Sequence, residues 1–160
     1  MAQPVRKPNR LAKYDYSQNG AYFITVCIKD KVPMLWACGV GAATCRPQIE
    51  LSSIGRTVET AIRQISEKYT RVSVDRYCIM PNHVHLILIL HPSGRDGRQV
   101  AAPTVSTIVG NMKRWVSIQT GESVWQKGFY DHIIRDEQDY LTKAQYIDNN
   151  PAAWLEKHTP

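Results

Sequence analysis

The chain has 160 residues, of which 43% are apolar, 9% aromatic and 21% charged. This composition is typical of a globular protein, and we expect residues 1–160 to form one domain. The 20 basic residues outnumber the 14 acidic ones, which gives a net charge of +6 and favours an anionic partner. The longest apolar stretch, residues 84–90, is far shorter than the ~20 residues of a membrane helix. We therefore exclude a membrane span and, because no hydrophobic segment follows the basic N-terminus, expect a cytoplasmic protein.

The cysteines give no sign of a structural metal site. Cys27, Cys38, Cys45 and Cys78 include no C-x-x-C pair of the kind that zinc ribbons use. In a reducing compartment we expect all four to be free thiols.

The first half of the chain predicts a basic arm, a strand and a helix. Residues 1–20 are polar, and their basic side chains precede the first acidic residue: Arg6, Lys7, Arg10 and Lys13. Residues 21–28 are rich in β-branched and aromatic side chains and are followed by KDKVP, which predicts a strand and its end. Residues 34–51 fit a short hairpin around a glycine-containing turn at residues 39–42. Residues 53–69 repeat apolar side chains at steps of three and four, which predicts an amphipathic helix.

The second half predicts three strands and two helices. Residues 72–80 and 83–90 are strands separated by a Pro-Asn turn, and the second strand is apolar on both faces, as a central strand is. A helix over residues 105–119 and a strand over residues 129–135 follow. Asp136 is a good N-cap for a last helix. We expect this helix to end near Asn150, because Pro151 disfavours helical geometry in the residue before it.

The order of these elements predicts the fold. Without the hairpin and the last helix, the order is βαββαβ, which is the ferredoxin-like α+β arrangement of an antiparallel sheet with helices on one face. The last helix is then an addition to this core. Because many activities share this fold, function has to be argued from a site.

Two histidines form the first part of a candidate site. His83 and His85 are two positions apart in a strand, so both imidazoles project from the same face while Val84 points the other way. Imidazole is the commonest metal ligand among side chains. Hydrogen-bonded core histidines are the alternative, but two of them on an apolar strand are costly to bury without partners. The pattern therefore leaves both a metal site and a structural pair open.

The last helix offers further candidates. Tyr146 and Asn150 are four residues apart, so they lie on the same helix face, whereas Tyr140 lies on another. From spacing alone, Tyr146 could equally be a half-buried anchor and Asn150 a residue that ends the helix before the proline.

Five segments of the chain resemble a known family. They are YDYSQNGAYFIT (residues 14–25), YCIMPNHVHLIL (77–88), IVGNMK (108–113), VWQKGFYDHIIRDE (124–137) and YIDNNP (146–151). In this order and spacing they resemble the single-tyrosine transposases and are most similar to the REP-associated tyrosine transposases. The resemblance covers nearly the whole chain.

The resemblance implies a His-hydrophobic-His endonuclease on a ferredoxin-like sheet. Such an enzyme uses Mg²⁺ or Mn²⁺ to cut single-stranded DNA beside a hairpin, here a REP-like palindrome, through a 5′-phosphotyrosine intermediate. His83 and His85 match the metal ligands, Tyr146 matches the nucleophile, and Asn150 matches the position of a third ligand, which is an amide or a carboxylate in relatives. Relatives include domain-swapped dimers and monomers, so the resemblance leaves monomer and homodimer open.

The basic residues then become candidates for DNA binding. The arm carries no acidic side chains near its cations and is the strongest of these candidates. Lys113, Arg114 and Lys127 are expected to flank the active face. Tyr130 could stack on bases, whereas we expect Trp125 to pack in the core.

The sequence suits two alternative functions less well. A histidine-triad nucleotide hydrolase needs a third histidine as its nucleophile, and that position is Ile87. A non-catalytic, ferredoxin-like domain that binds RNA or DNA and has a regulatory role would suit the fold and the charge. However, an RNA-binding domain of this fold needs exposed aromatic side chains on its central strands, and the strand from His83 has none.

Overall fold

The computed structural model describes residues 14–37, 49–92 and 103–158. Its elements are β1 (Gly20–Cys27), a short 3₁₀ turn (Lys29–Lys31), α1 (Ser53–Lys68), β2 (Val72–Ile79), β3 (His83–Leu90), α2 (Val105–Thr120), β4 (Tyr130–Ile134) and α3 (Glu137–His158). The four cations of the predicted basic arm, the predicted turn at residues 39–42, and Cys38 and Cys45 lie outside the described residues. The other two cysteines, Cys27 and Cys78, are free thiols as expected.

The sheet has the predicted ferredoxin-like topology. Its four strands are arranged β2-β3-β1-β4, and every neighbouring pair is antiparallel. β3 and β1 are therefore the central strands, which explains why β3 is apolar on both faces. The α+β fold class is confirmed.

The two faces of the sheet have different coverings. Tyr22, Ile24 and Val26 of β1 are fully buried on one face. This is the face of α1, whose Glu59 accepts a hydrogen bond from the Tyr77 hydroxyl of β2. α2 packs beside α1 and joins it through a hydrogen bond from Asn111 to Tyr69. The alternate residues of the central strands lie on the other face, which α3 covers.

The predicted hairpin after β1 is present at its base. Trp36 and Leu51 form an antiparallel bridge, and the Ala37 amide donates to the Glu50 carbonyl at 2.8 Å. The connection between these residues falls outside the described ranges. None of the helices in the described ranges combines the length and apolar character that crossing a membrane requires.

The start of α3 was predicted correctly and its end was not. Asp136 is the N-cap, because its carboxylate accepts a hydrogen bond from the Asp139 amide at 2.8 Å. The helix does not stop before Pro151 but continues to His158. A proline inside a helix removes one backbone hydrogen bond and costs about 3 kcal/mol.

Packing of the extended helix offsets this cost. Trp154 packs edge-on against Trp36, with ring centroids 4.9 Å apart, and His158 stacks on Trp154 at 4.1 Å. Trp36 is itself held by a hydrogen bond from its indole nitrogen to the Ile79 carbonyl at 2.7 Å. The contact between Trp36 and Trp154 joins residues far apart in the sequence, so the local proline rule could not anticipate it.

The N-terminal turn of α1 sits directly on the segment that follows β1. Ser52 caps the helix by accepting a hydrogen bond from the Gly55 amide at 3.0 Å, and the Ser52 amide donates to the Leu35 carbonyl at 3.0 Å. A Cβ atom on Gly55 would lie 2.0 Å from that carbonyl oxygen. Since the obstacle is backbone, only glycine fits here.

We expect Gly55→Ala to lower the free energy of unfolding by about 2 kcal/mol, because the added methyl group forces the helix away from residue 35. Gly110→Ala is the matched control, since Gly110 lies in α2 and its Cβ would meet no atom within 4 Å. The control should raise stability by about 0.5–1 kcal/mol through helix propensity. Urea unfolding followed by circular dichroism measures both, and equal stabilities of the two variants would contradict the proposed close approach.

Candidate active site

The two histidines of β3 converge on one point. His83 and His85 lie on the α3 face of the sheet, opposite Cys27 and Thr25 of β1. Their Nε2 atoms are 3.0 Å apart, and their rings are 4.6 Å apart at an interplanar angle of 76°. The strand geometry therefore brings both imidazoles together, as the spacing predicts.

The other ring nitrogen of each histidine is also held. The Nδ1 atom of His83 is 2.7 Å from Asn82 Oδ1, and Nδ2 of the same amide donates to the Lys31 carbonyl at 3.2 Å. Since this fixes the oxygen of Asn82 as the acceptor, His83 donates from Nδ1 and keeps a lone pair on Nε2. Nδ1 of His85 is 2.8 Å from the Thr25 hydroxyl, which can either donate or accept.

Both imidazoles are held in the neutral form. Burial lowers the pKa of His85 to about 3, with further contributions from the neighbouring His83 and the positive charge of Lys143. Burial, followed by the charge of Lys31, also lowers the pKa of His83. At neutral pH the pair therefore offers lone pairs and not positive charge, which is the state in which imidazole binds a metal ion.

The ring of Phe23 packs against both His85 and the candidate nucleophile, Tyr146. The Phe23 ring stacks on His85 with centroids 5.2 Å apart. Tyr146 of α3 packs edge-on against both rings, at 6.1 Å from Phe23 and 5.2 Å from His85. The side chain of Tyr146 is still 50% exposed, so a ligand can approach its hydroxyl. Nζ of Lys143 lies 5.3 Å from the centroid of the same phenylalanine, which places a cation beside the ring that stacks on His85.

Two contacts with β2 set the direction of α3. Tyr140 donates a hydrogen bond to Asp75 at 2.7 Å, and Asp148 forms an ion pair with Arg76. α3 therefore runs alongside β2 toward the end of the sheet where β3 begins. Tyr140 faces β2, whereas Tyr146 faces the histidines, which confirms that the two tyrosines lie on different faces.

Asn150 lies one turn beyond Tyr146, toward the His83 end of β3. Its amide nitrogen is buried and has no hydrogen-bond partner. Within residues 14–37, 49–92 and 103–158, no three His, Cys, Asp or Glu side chains come together to hold a metal ion. A site built on the two histidines would therefore need a ligand of another type, and the amide oxygen of Asn150 is available on this helix face.

The predicted DNA-binding cations are dispersed. Lys113 is partly buried, and its ammonium donates to the carbonyls of Gln126 and Gly128 at 2.7 and 2.8 Å, so it braces a loop. Arg114 is exposed on α2, in the layer opposite α3, and Lys127 is exposed on the braced loop. The contribution of these three residues to DNA binding stays a prediction.

Several side chains at this site were not singled out by the sequence analysis. Phe23, Thr25 and Lys143 come from other elements, and their partners are set by strand register and helix docking. Lys143 could have been identified from the sequence, because it precedes Tyr146 by three positions on a helix. Of the two aromatic candidates for stacking, Trp125 is buried, as expected, whereas Tyr130 is 49% exposed and lies next to Thr25 in the sheet.

Comparison with known proteins gives consistent matches. The family model described as "Transposase IS200 like" matches residues 40–150. A Haemophilus influenzae protein of uncharacterised function is 32% identical over 93% of this chain and 89% of its own length. A second H. influenzae protein, provisionally described as a REP-associated tyrosine transposase, is 26% identical over 86% of this chain and 73% of its own length.

Two solved structures share the fold. A REP-associated tyrosine transposase bound to a REP hairpin superposes with a TM-score of 0.64 and 21% identity, over 90% of this chain and 73% of that one. A structure described as a candidate transposase from Deinococcus radiodurans has a TM-score of 0.50 and 16% identity, over 88% of this chain and 95% of its own. Since the family model matches more than half of the residues, the chain belongs to the IS200-like transposase family, and its resemblance to the REP-associated tyrosine transposases is confirmed.

Proposed function

We propose that this transposase-family protein is a metal-dependent enzyme that cuts single-stranded DNA beside a hairpin and transfers the cut strand through a 5′-phosphotyrosine on Tyr146. The observation that carries the proposal is the packing of Tyr146 against His85, with ring centroids 5.2 Å apart. The hairpin substrate is suggested by the relative that was solved with a REP hairpin.

The residues fit a divalent cation. In octahedral coordination with ligand distances of about 2.1 Å, two adjacent ligands are about 3.0 Å apart. The Nε2 atoms of His83 and His85 have this separation. The Asn150 amide, whose nitrogen is buried without a hydrogen-bond partner one helical turn beyond Tyr146, would supply the third protein ligand through its oxygen. Mg²⁺ or Mn²⁺ held there would polarise a non-bridging oxygen of the scissile phosphate.

The side chains of the protein perform the remaining steps. Packing against Phe23 and His85 holds the Tyr146 ring so that its hydroxyl oxygen can approach the phosphorus in line with the departing 3′ oxygen. The Tyr146 oxygen bonds to phosphorus, the bond between phosphorus and the 3′ oxygen breaks, and that oxygen takes up a proton as the phenol loses its own.

The product is a DNA strand with a free 3′-OH and another strand joined to Tyr146 through its 5′ phosphate. Because the new linkage is still a phosphodiester, another 3′-OH can attack it and restore a DNA strand without ATP. Cutting and strand transfer are thus the same reaction in opposite directions.

The first test concerns the metal. His83→Ala or His85→Ala should remove measurable Mn²⁺ binding in electron paramagnetic resonance titrations and abolish covalent attachment of a hairpin oligonucleotide. His132→Ala is the matched control, since this histidine lies on the edge strand β4 and is paired with Asp139 of α3. Normal Mn²⁺ binding by the β3 variants, or full activity in a chelator, would refute the metal site.

Asn150 tests the third ligand. Losing one neutral ligand from an ion still held by two histidines should raise the Mn²⁺ concentration required for cleavage by roughly tenfold and leave the reaction possible. Asn150→Ala is compared with Asn149→Ala, which changes an exposed neighbour on the same helix. An equal Mn²⁺ requirement for both variants would remove Asn150 from the ligand set.

Tyr146 tests the chemistry itself. Tyr146→Phe removes only the attacking oxygen, so this variant should bind a hairpin substrate normally and form no protein–DNA adduct. Tyr140→Phe should still form the adduct, because its hydroxyl is committed to Asp75. Mass spectrometry of the trapped adduct decides the result, and a linkage at Tyr140, Tyr130 or any serine would contradict the assignment.

A further inference from the structure

A second concave surface lies next to the histidines and is not part of the site described above. Residues 29–31 form one wall and residues 123–127 the other, and the cleft between them has a volume of about 540 Å³. This volume is within the range of small-molecule pockets, roughly 300–1,000 Å³, and suits a ligand of nucleotide size. We refer to it as the lysine cleft.

The lysine cleft carries a net positive charge. Lys29, Lys31 and Lys127 line it together with one acidic residue, Asp30. In the described ranges, none of these lysines forms an ion pair with a carboxylate. Three exposed ammonium groups around one concave surface attract an anion of extended shape, such as a nucleic-acid backbone.

One buried polar group of the cleft also lacks a partner. Trp125 lines the cleft and is only 7% exposed, and its indole N–H has no hydrogen-bond acceptor. A buried donor without an acceptor costs about 1–3 kcal/mol. Because this nitrogen is shielded from solvent, the exposed lysines, and not Trp125, are the groups that a ligand in the cleft can contact.

The walls of the cleft are fixed by hydrogen bonds. The amide of Lys29 donates to the Val124 carbonyl and the amide of Gln126 to the Cys27 carbonyl, both at 2.9 Å. Lys113 braces the second wall from behind through Gln126 and Gly128. Lys31 adopts a left-handed backbone conformation with φ of 55°, which is costly for lysine and so indicates a position imposed by its surroundings.

Asn82 connects the lysine cleft to the histidines. Its amide oxygen accepts from His83, and its amide nitrogen donates to the Lys31 carbonyl. A strand that occupies the cleft is therefore held one side chain away from the proposed metal ligand. Because the proposed reaction cuts single-stranded DNA at these histidines, the DNA that reaches the cleft is the single-stranded flank.

We propose that the lysine cleft binds a nucleotide of the single-stranded DNA that flanks the hairpin. Its three exposed lysines contact the phosphates on either side of this nucleotide. This inference rests on the proposed function, because it assumes a single-stranded DNA substrate.

The test measures binding without chemistry, in a Tyr146→Phe background and in the presence of a chelator. The probes are a synthetic DNA hairpin with four unpaired nucleotides on each side and the same hairpin without them. Changing Lys29, Lys31 and Lys127 together to alanine should weaken binding of the flanked hairpin at least tenfold. The slope of log affinity against log salt should decrease by about 2, because each cation on single-stranded DNA contributes about 0.7.

Two controls make the result specific. Replacing Arg56, Arg63 and Lys68 of α1 with alanine removes the same charge from the opposite layer and should change neither the affinity nor the slope. The unflanked hairpin should bind the cleft variant within twofold of its parent. Wild-type affinity and slope for the cleft variant, or an equal loss with both hairpins, would overturn the proposal.

The proposed cleavage activity is tested separately. If wild-type protein forms no Tyr146 adduct while the cleft variant still loses affinity for the flanked hairpin, then cleavage is refuted and the cleft is supported. If the adduct forms and the cleft variant binds normally, then cleavage is supported and the cleft is refuted.

Discussion

The register between β1 and β3 is the constraint on which the site depends. It places Thr25 opposite His85 and Phe23 opposite Ile87, so the hydroxyl partner of His85 and the aromatic floor beside it come from one strand. Because side chains alternate along a strand, a slip of one residue would turn both histidines into the apolar core under α1 and α2. The fully buried Tyr22, Ile24 and Val26 prevent that slip. The core therefore determines the position of the catalytic candidates.

The distribution of polar groups follows from this division of the sheet. One face is an apolar core, whereas the other carries His83, His85 and Thr25 beneath α3, from which the half-exposed Tyr146 packs against His85. Burial of two imidazoles is tolerated because each ring nitrogen meets a polar atom: Asn82, Thr25 or the neighbouring histidine. The same burial keeps the rings neutral. The hydrogen bonds of the two Nδ1 atoms to Asn82 and Thr25 thus orient the pair for a cation, which would replace the contact between the two Nε2 atoms.

Local sequence patterns predict the strands and helices well, whereas contacts that depend on how these elements pack together are predicted poorly. Runs of β-branched and apolar residues located the strands, apolar repeats located α1 and α2, and the i, i+2 spacing of His83 and His85 was sufficient to place them together. The predicted end of α3 was wrong, because Pro151 acts only on its neighbours in the chain, whereas the contact of Trp154 with Trp36 spans more than 100 residues. The lysine cleft and the position of Lys143 depend on how loops and helices pack, and no periodic pattern encodes that.

The extension of α3 also bears on how one tyrosine can serve two reactions. The helix is attached to the sheet before Tyr146 through Tyr140 and Asp75, and after it through Trp154 and Trp36. Trp36 in turn bonds to the Ile79 carbonyl, at the end of β2 that leads into the turn before His83. Tyr146 therefore lies between two fixed points of α3, with its ring against His85. An enzyme that cuts a strand and later rejoins another needs its nucleophile in the same place for both steps, since misplacement by about 1 Å can cost a hundredfold in rate. A helix held at both ends meets that requirement, which gives the contacts beyond Pro151 a role in the proposed chemistry as well as in stability.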